Sequence, residues 1–198
     1  KNTNKYYLDF MGMYSSLPIG YNHPIFDSKE FKEEIHRVSK LKMVNCEMLS
    51  DEFDEFYKTF KKFTSMGKYE NYHFTCTGAL ANEAAIKTAM WYKGPRPDGY
   101  ILSIKNSFHG INSVGNIITS RFPGVKLRLG DIPGEYNWPV ANTIKDAISH
   151  VQSNPYNLQG VIIEPIQATY GDNYLNKKEL QSLSKICKQF DIPLIFDE

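Results

Sequence analysis

Two carboxylates stand directly behind apolar runs: Glu164 follows "GVII" (160–163) and Asp197 follows "PLIF" (193–196). Burying a carboxylate without a partner costs on the order of several kcal/mol, so each needs a cation or a set of hydrogen-bond donors. A protonated heterocyclic nitrogen is one such partner; for either acid taken singly, a loop cap or an Arg or Lys pair is the other reading. Earlier in the chain, "TGALANEAA" begins at Thr77, a small Gly-containing turn that opens straight into a helix. The first free N–H groups of such a helix and the positive end of its dipole suit an anion such as phosphate, and the Thr77 hydroxyl adds a donor. The same Thr-Gly pair also makes an ordinary N-cap and close-packing turn. Between these lies "KNSFHG", which puts Phe108 and His109 in a loop behind a further apolar run. An aromatic ring and an imidazole there fit a planar ligand or a proton-transfer step, or else a core Phe beside a loop His.

All of these residues follow short apolar segments, and in parallel α/β sheets ligands bind outside the carboxyl ends of the strands. The candidate strands are "YHFTC" (72–76), "YILSI" (100–104), "VKLRL" (125–129), "GVIIE" (160–164) and "PLIF" (193–196), bounded by Gly, Pro or Asn. Helical periodicity fills the spaces between them. After Gly78, Ala81, Ala85 and Ala89 recur beside Ile86 and Met90; from Thr143, a good N-cap, Ile144, Ala147, Ile148 and Val151 form a stripe that "SNPYN" ends. Leu180, Leu183, Ile186, Cys187 and Phe190 make a third. Upstream, Leu49, Phe53, Phe56, Tyr57, Phe60 and Phe63 form an aromatic face at helical spacing, expected to be core. The first forty residues hold the turn-rich "LPIGYNHP" and a polar helix around "SKEFKEEIHRVSK". The expected organisation is α/β: residues 1–42 as part of a smaller N-terminal subdomain or arm, and 43–198 as part of a larger domain.

Composition narrows the partners. With 41% hydrophobic and 14% aromatic residues in 198, the chain can bury a core. Its 23 Lys and Arg balance 22 Asp and Glu, so no field favours nucleic acid or an anionic membrane, and a small molecule is the expected ligand. No stretch approaches the roughly 18 to 20 apolar residues of a membrane span, and the polar opening "KNTNKYYLDF" does not read as a signal peptide. Cys46, Cys76 and Cys187 are widely spaced, odd in number and outside any CxxC or Cys/His grouping, which argues against a disulfide framework or zinc site and for a reducing, cytoplasmic compartment. The absence of GxGxxG and GxxxxGK[ST] counts against a nucleotide-binding domain.

Taken together and in order, "YLDFMGMYSSLPIGYNHP", "TGALANEAAIKTA", "SFHG", "EPIQ" and "FDE" resemble the class III pyridoxal-phosphate (PLP) aminotransferases over nearly the whole chain. The resemblance implies fold type I: a mostly parallel sheet flanked by helices, a small domain built from both termini, and a homodimer with active sites at the interface. It implies that Thr77, Gly78 and Ala79 hold the cofactor phosphate, that Phe108 stacks on the pyridine ring with His109 beside it, that Asp197 pairs with the protonated pyridine nitrogen, and that Glu164 supports the pocket. The Schiff-base lysine of the family comes after the "DE" motif, so it is expected beyond Glu198; neither Lys87 nor Lys105 falls in a matching motif. By the same resemblance the chain is the N-terminal part of a longer enzyme, inactive alone, with the open edge of its last strand favouring aggregation or disorder.

The start of the chain and "IQATYGDNY" look most like the branch that transfers terminal amines of lysine or ornithine, which makes Tyr14 the substrate-contact candidate. Two sites depart from that branch, a single residue and a pair. Ile111 stands where its arginine would grip a substrate carboxylate, an exchange that removes a planar clamp; Ala168 and Thr169 stand where it has a Gly-Glu pair. Arg121 is nearby in sequence but in no motif. The implied activity is transfer of an amino group from an ω-amino acid or amine to a 2-oxo acid. An aminomutase of the same fold, or a non-catalytic relative lacking the lysine, are the alternatives.

Overall fold

Tyr100–Ile104 (β1) and Leu158–Ile163 (β3) are buried almost throughout, as expected of strands covered on both faces. In a computed structural model that describes residues 5–41, 49–64, 68–121 and 138–198, they form the centre of a parallel sheet with Val140–Ala141 (β2) and Leu194–Phe196 (β6) in the order β2-β1-β3-β6. Ile166–Gln167 (β4) and Asn173–Tyr174 (β5) pair separately as an antiparallel ribbon. The chain divides into two compact units, Lys1–Asn71 and Tyr72–Glu198, and the sheet belongs to the second.

Side chains alternate across the sheet with the period of two that a pleated strand imposes. Ile101 and Ile162 join Ile86 and Ile118 in one cluster, while Leu102, Ile104, Val161 and Ile163 join Ile144, Ala147, Val151, Leu183 and Cys187 in the other. Helices Gly78–Lys93 (α4) and Ser113–Ile118 (α5) therefore supply one outer layer, and Ile144–Ser153 (α6) and Lys177–Gln189 (α7) the other. Each fully buried Ile or Leu contributes about 1.5–3 kcal/mol by its removal from water. Three of these helices begin at the caps their sequences carry: Thr77 Oγ1 accepts from Leu80 N, Thr143 Oγ1 from Asp146 N, and Asn176 Oδ1 from the amides of Lys178 and Glu179.

Two of these expectations need correction. Residues 72–76 are in no strand: neither of the sheets formed by the described residues includes them. The core stripe of α4 includes Ile86 and Ala89 as expected, but it begins at Asn82 and leaves Ala81 exposed. The predicted strand at 125–129 lies outside the described residues.

In the first unit, Gly12–Ser15 (α1) is a short turn in which Met13 and Tyr14 have φ of 47° and 58°. Lys29–Val38 (α2) starts at the Ser28 cap, and Asp51–Thr64 (α3) carries the aromatic face. That face is not core. Its rings pack along the helix, Phe53 on Phe56 at 6.3 Å and Phe56 on Phe60 at 5.6 Å, yet Leu49, Phe56 and Phe63 are exposed and no residue of α3 is buried. Apolar periodicity produces the stripe, but a stripe becomes core only where a second layer covers it. Lys42, where the boundary between subdomains is expected, lies outside the described residues.

Candidate active site

The parallel register carries the two acids to one edge. Ile163 of β3 is paired with Phe196 of β6, so Glu164 and Asp197 emerge side by side one residue later, and the Asp197 N–H closes the ladder on Ile163 O at 2.9 Å. β1, on the other side of β3, delivers the "SFHG" loop to the same edge.

Each carboxylate is held differently. Asp197 Oδ2 accepts from Asn82 Nδ2 and from His109 Nδ1, both at 2.8 Å, and the side chain stays 20% exposed. Both bonds fall on the same oxygen, so Oδ1 is an open acceptor. Because a carboxylate only accepts, Nδ1 of His109 carries the hydrogen, and Nε2 is left buried with no partner. Glu164, which is buried, accepts the Phe108 N–H through Oε2 at 2.8 Å. Burial pushes its carboxyl above the usual range; the Phe108 N–H and the nearby His109 pull it back, and the Asp197 charge pushes it further up.

The loop that holds Phe108 and His109 is tightly made. Thr119 Oγ1 accepts the His109 N–H at 2.9 Å and lies 2.8 Å from the carbonyl oxygens of Gly110 and Gly115. Gly110 has φ of +115°, and a Cβ there would sit 2.8 Å from Ala79 Cβ and 3.3 Å from Ala79 Cα. Glycine at this position is what lets the loop lie directly on the first turn of α4.

That first turn offers free donors. Thr77 Oγ1 takes the Leu80 amide, and the Thr77 carbonyl takes the Ala81 amide, which leaves the N–H groups of Gly78 and Ala79 without acceptors among the described residues. Nothing lies within 4 Å of a Cβ built on Gly78. A pair of free amides at the N-terminus of a 16-residue helix fits an anion, and the open oxygen of the Asp197 carboxylate fits a protonated ring nitrogen. The donor and acceptor set therefore matches a phosphorylated pyridine at both ends.

Of the sequence-predicted residues, His109, Glu164 and Asp197 come together, with the Phe108 amide between them, and Ala79 touches Gly110. Tyr14 belongs to the first unit, where it is exposed. Ile111 is exposed on the loop. Three further residues were not legible. Asn82 is 6% exposed and reaches both Asp197 and the His109 carbonyl, at 3.2 Å; "ANE" one turn into the helix was the only signal. Gln167 Nε2 donates to Lys105 O, which ties the "EPIQ" segment to the loop after β1. Arg121, which no motif placed, donates through Nε to Thr169 O at 2.6 Å, and its guanidinium lies 5.5 Å from the Tyr170 ring centroid. No cluster of His, Cys, Asp and Glu suited to a metal occurs among the described residues, and no described helix is long and apolar enough to cross a membrane.

The chain is 26% identical to the L-lysine-epsilon aminotransferase of Mycobacterium tuberculosis across 99% of its own length and 49% of the relative's. It is 30% identical to the acetylornithine/succinyldiaminopimelate aminotransferase of Buchnera aphidicola across 98% of its length and 46% of the relative's. Among solved structures, lysine aminotransferase from M. tuberculosis superposes with a TM-score of 0.85 at 24% identity, covering 98% of this chain and 50% of that one. An ornithine aminotransferase from Toxoplasma gondii, described with partial occupancy of PLP at its active site, superposes with a TM-score of 0.76 at 19% identity, covering 96% and 44%. These likenesses establish the fold, that of the aminotransferases. The chain thus spans about half the length of the relatives it matches. The family described as aminotransferase class-III matches residues 2–198, and the chain belongs to it.

Proposed function

We propose that the protein carrying this chain is a PLP-dependent transaminase that moves an amino group from an ω-amino acid or amine to a 2-oxo acid, working as a cytoplasmic homodimer. The observation that supports this most is the state of Asp197: one oxygen saturated by Asn82 and His109, the other open, at a sheet edge lined by the loop that rests on the N-terminus of α4.

Bound PLP would supply the electron sink for the negative charge left at the substrate carbon when its proton departs. The residues of this chain do the holding. The amides of Gly78 and Ala79, with the Thr77 hydroxyl, would receive the phosphate, and Phe108 and His109 would hold the pyridine ring. Asp197 Oδ1 would keep a proton on the ring nitrogen, since a negative charge there favours the protonated ring. Glu164 fixes the Phe108 amide, and so the height of the loop. Tyr14 contacts the substrate, on the proposed arrangement in which residues 1–42 form part of the small domain and 43–198 part of the cofactor domain.

Purified full-length protein should take up PLP, seen as a visible absorbance band, and then convert lysine, ornithine or a simple ω-amine in the presence of a 2-oxo acid. Failure to take up PLP would overturn the reading. Asp197→Asn removes an ionic hydrogen bond and should weaken PLP binding by about 10–100-fold, the equivalent of roughly 1.5–3 kcal/mol.

A further inference from the structure

Asn82 stands outside the usual list of charges and rings that do chemistry, yet it bonds both the Asp197 carboxylate and the loop that carries His109. It sits on the sheet-facing side of α4, buried to 6% exposure, one turn after the free amides of Gly78 and Ala79. Its Nδ2 donates to Asp197 Oδ2 at 2.8 Å and to the His109 carbonyl at 3.2 Å. Three elements that are remote in sequence, α4, the "SFHG" loop and the end of β6, therefore meet on a single amide group.

The chemistry of that group decides what it can do. An amide NH2 donates twice and has no charge, so it can saturate Asp197 Oδ2 without neutralising the carboxylate as a Lys or Arg would. With His109 Nδ1 on the same oxygen, rotation of the carboxylate about χ2 would break two hydrogen bonds at once. Oδ1 is thereby committed to face outward. Asn82 also lies four residues after Gly78 on the same helix, a rise of about 6 Å. One rigid element therefore sets the spacing between an anion at its N-terminus and a cationic nitrogen at Asp197.

We infer that Asn82 is a positioning residue: it locks the Asp197 carboxylate, and so sets the distance between the phosphate end and the ring-nitrogen end of the ligand. The inference rests on the PLP reading above. It predicts that loss of the Asn82 amide harms recognition of the ring nitrogen while leaving the anion site of the helix N-terminus intact.

The test uses the full-length protein and two variants, Asn82→Ala and the isosteric Asn82→Asp, which sets one carboxylate oxygen against another. Far-UV circular dichroism and thermal melting report folding. The PLP dissociation constant is expected to rise about tenfold or more in both variants, as for loss of a hydrogen bond to a charged group. In Asn82→Ala the pH at which the bound cofactor's absorbance titrates should shift downward, and in both variants inorganic phosphate binding, followed by 31P NMR, should change less than twofold. A folded Asn82→Ala protein with wild-type PLP affinity and wild-type absorbance titration overturns the inference and leaves the PLP reading standing. Equal losses of phosphate and PLP binding also overturn it, since they would mark a general structural role. Wild-type protein that binds no PLP overturns both. Should neither variant fold, a crystal structure of the wild type with PLP decides: Asn82 on Asp197 Oδ2, with Oδ1 on the ring nitrogen, supports the inference, and a carboxylate turned away from Asn82 sinks it.

Discussion

Glu164 shows how burial and local donors settle one side chain. Burial raises its carboxyl pKa, the Phe108 amide and His109 lower it in part, and Asp197 adds to the rise. A carboxyl whose pKa is raised in the folded state holds its proton more tightly there than in the unfolded chain. Folding stability therefore falls as pH climbs from the ordinary carboxylate value through the raised one. Glu164→Gln keeps an oxygen for the Phe108 N–H but cannot ionise. The cofactor-free variant should melt above wild type at pH 7, with the gap closing as pH falls toward 4; thermal melts across that range measure it, and a gap that widens at low pH would contradict the account. The acid itself was legible because a carboxylate directly after an apolar run is conspicuous. Asn82 was not, because an amide in a helix has no charge to betray it, and its role depends on a partner that is 115 residues away in sequence.

Element by element, legibility followed how much of the stabilisation is local. β1 was found to the residue, and α4 and α6 began within a residue of where their caps placed them, because strand burial and side-chain capping are written in short windows; α7 was read from its apolar stripe alone. Helix α5 was missed: "SVGNII" is short and pairs a glycine with β-branched residues, poor helix formers by local preference. It forms because of packing, as Gly115 lies so close under the loop that a Cβ there would sit 2.6 Å from the His109 carbonyl oxygen. Gly110 makes the companion contact with α4, and two substitutions can separate backbone strain from collision. Gly94→Ala puts a side chain at φ of +78° in open space, whereas Gly110→Ala puts one at +115° against Ala79. The first should cost about 1 kcal/mol and the second about 2–3 kcal/mol or more. Only the second should also weaken PLP binding, because the N-terminus of α4 must shift to make room. Equal denaturant midpoints for the two variants would remove the argument that Gly110 fixes the loop on the helix.

At the scale of the whole molecule, the second unit is a parallel sheet between two helical layers, and its stability rests on the larger cluster, where α6 and α7 cover β1 and β3. Cys187 lies in that cluster, 1% exposed, and burial alone pushes its thiol pKa up to about 12. The thiolate is the reactive form. At pH 8 a thiol with that pKa is ionised to about one part in ten thousand, and the few thiolates formed have no path to a reagent. Modification then requires α7 to leave the sheet, which breaks the cluster that holds the layer together, so the opening that exposes Cys187 should be close to global unfolding. Cys76, which is exposed, needs no such event. In protein retaining Cys187 as its sole cysteine, labelling by a thiol reagent should be negligible under native conditions and rise with denaturant along the unfolding curve measured by circular dichroism. Protein retaining only Cys76 should label fast before any denaturant is added. Rapid labelling of Cys187 in fully folded protein would mean that α7 detaches on its own, and that the three layers do not unfold as one cooperative body.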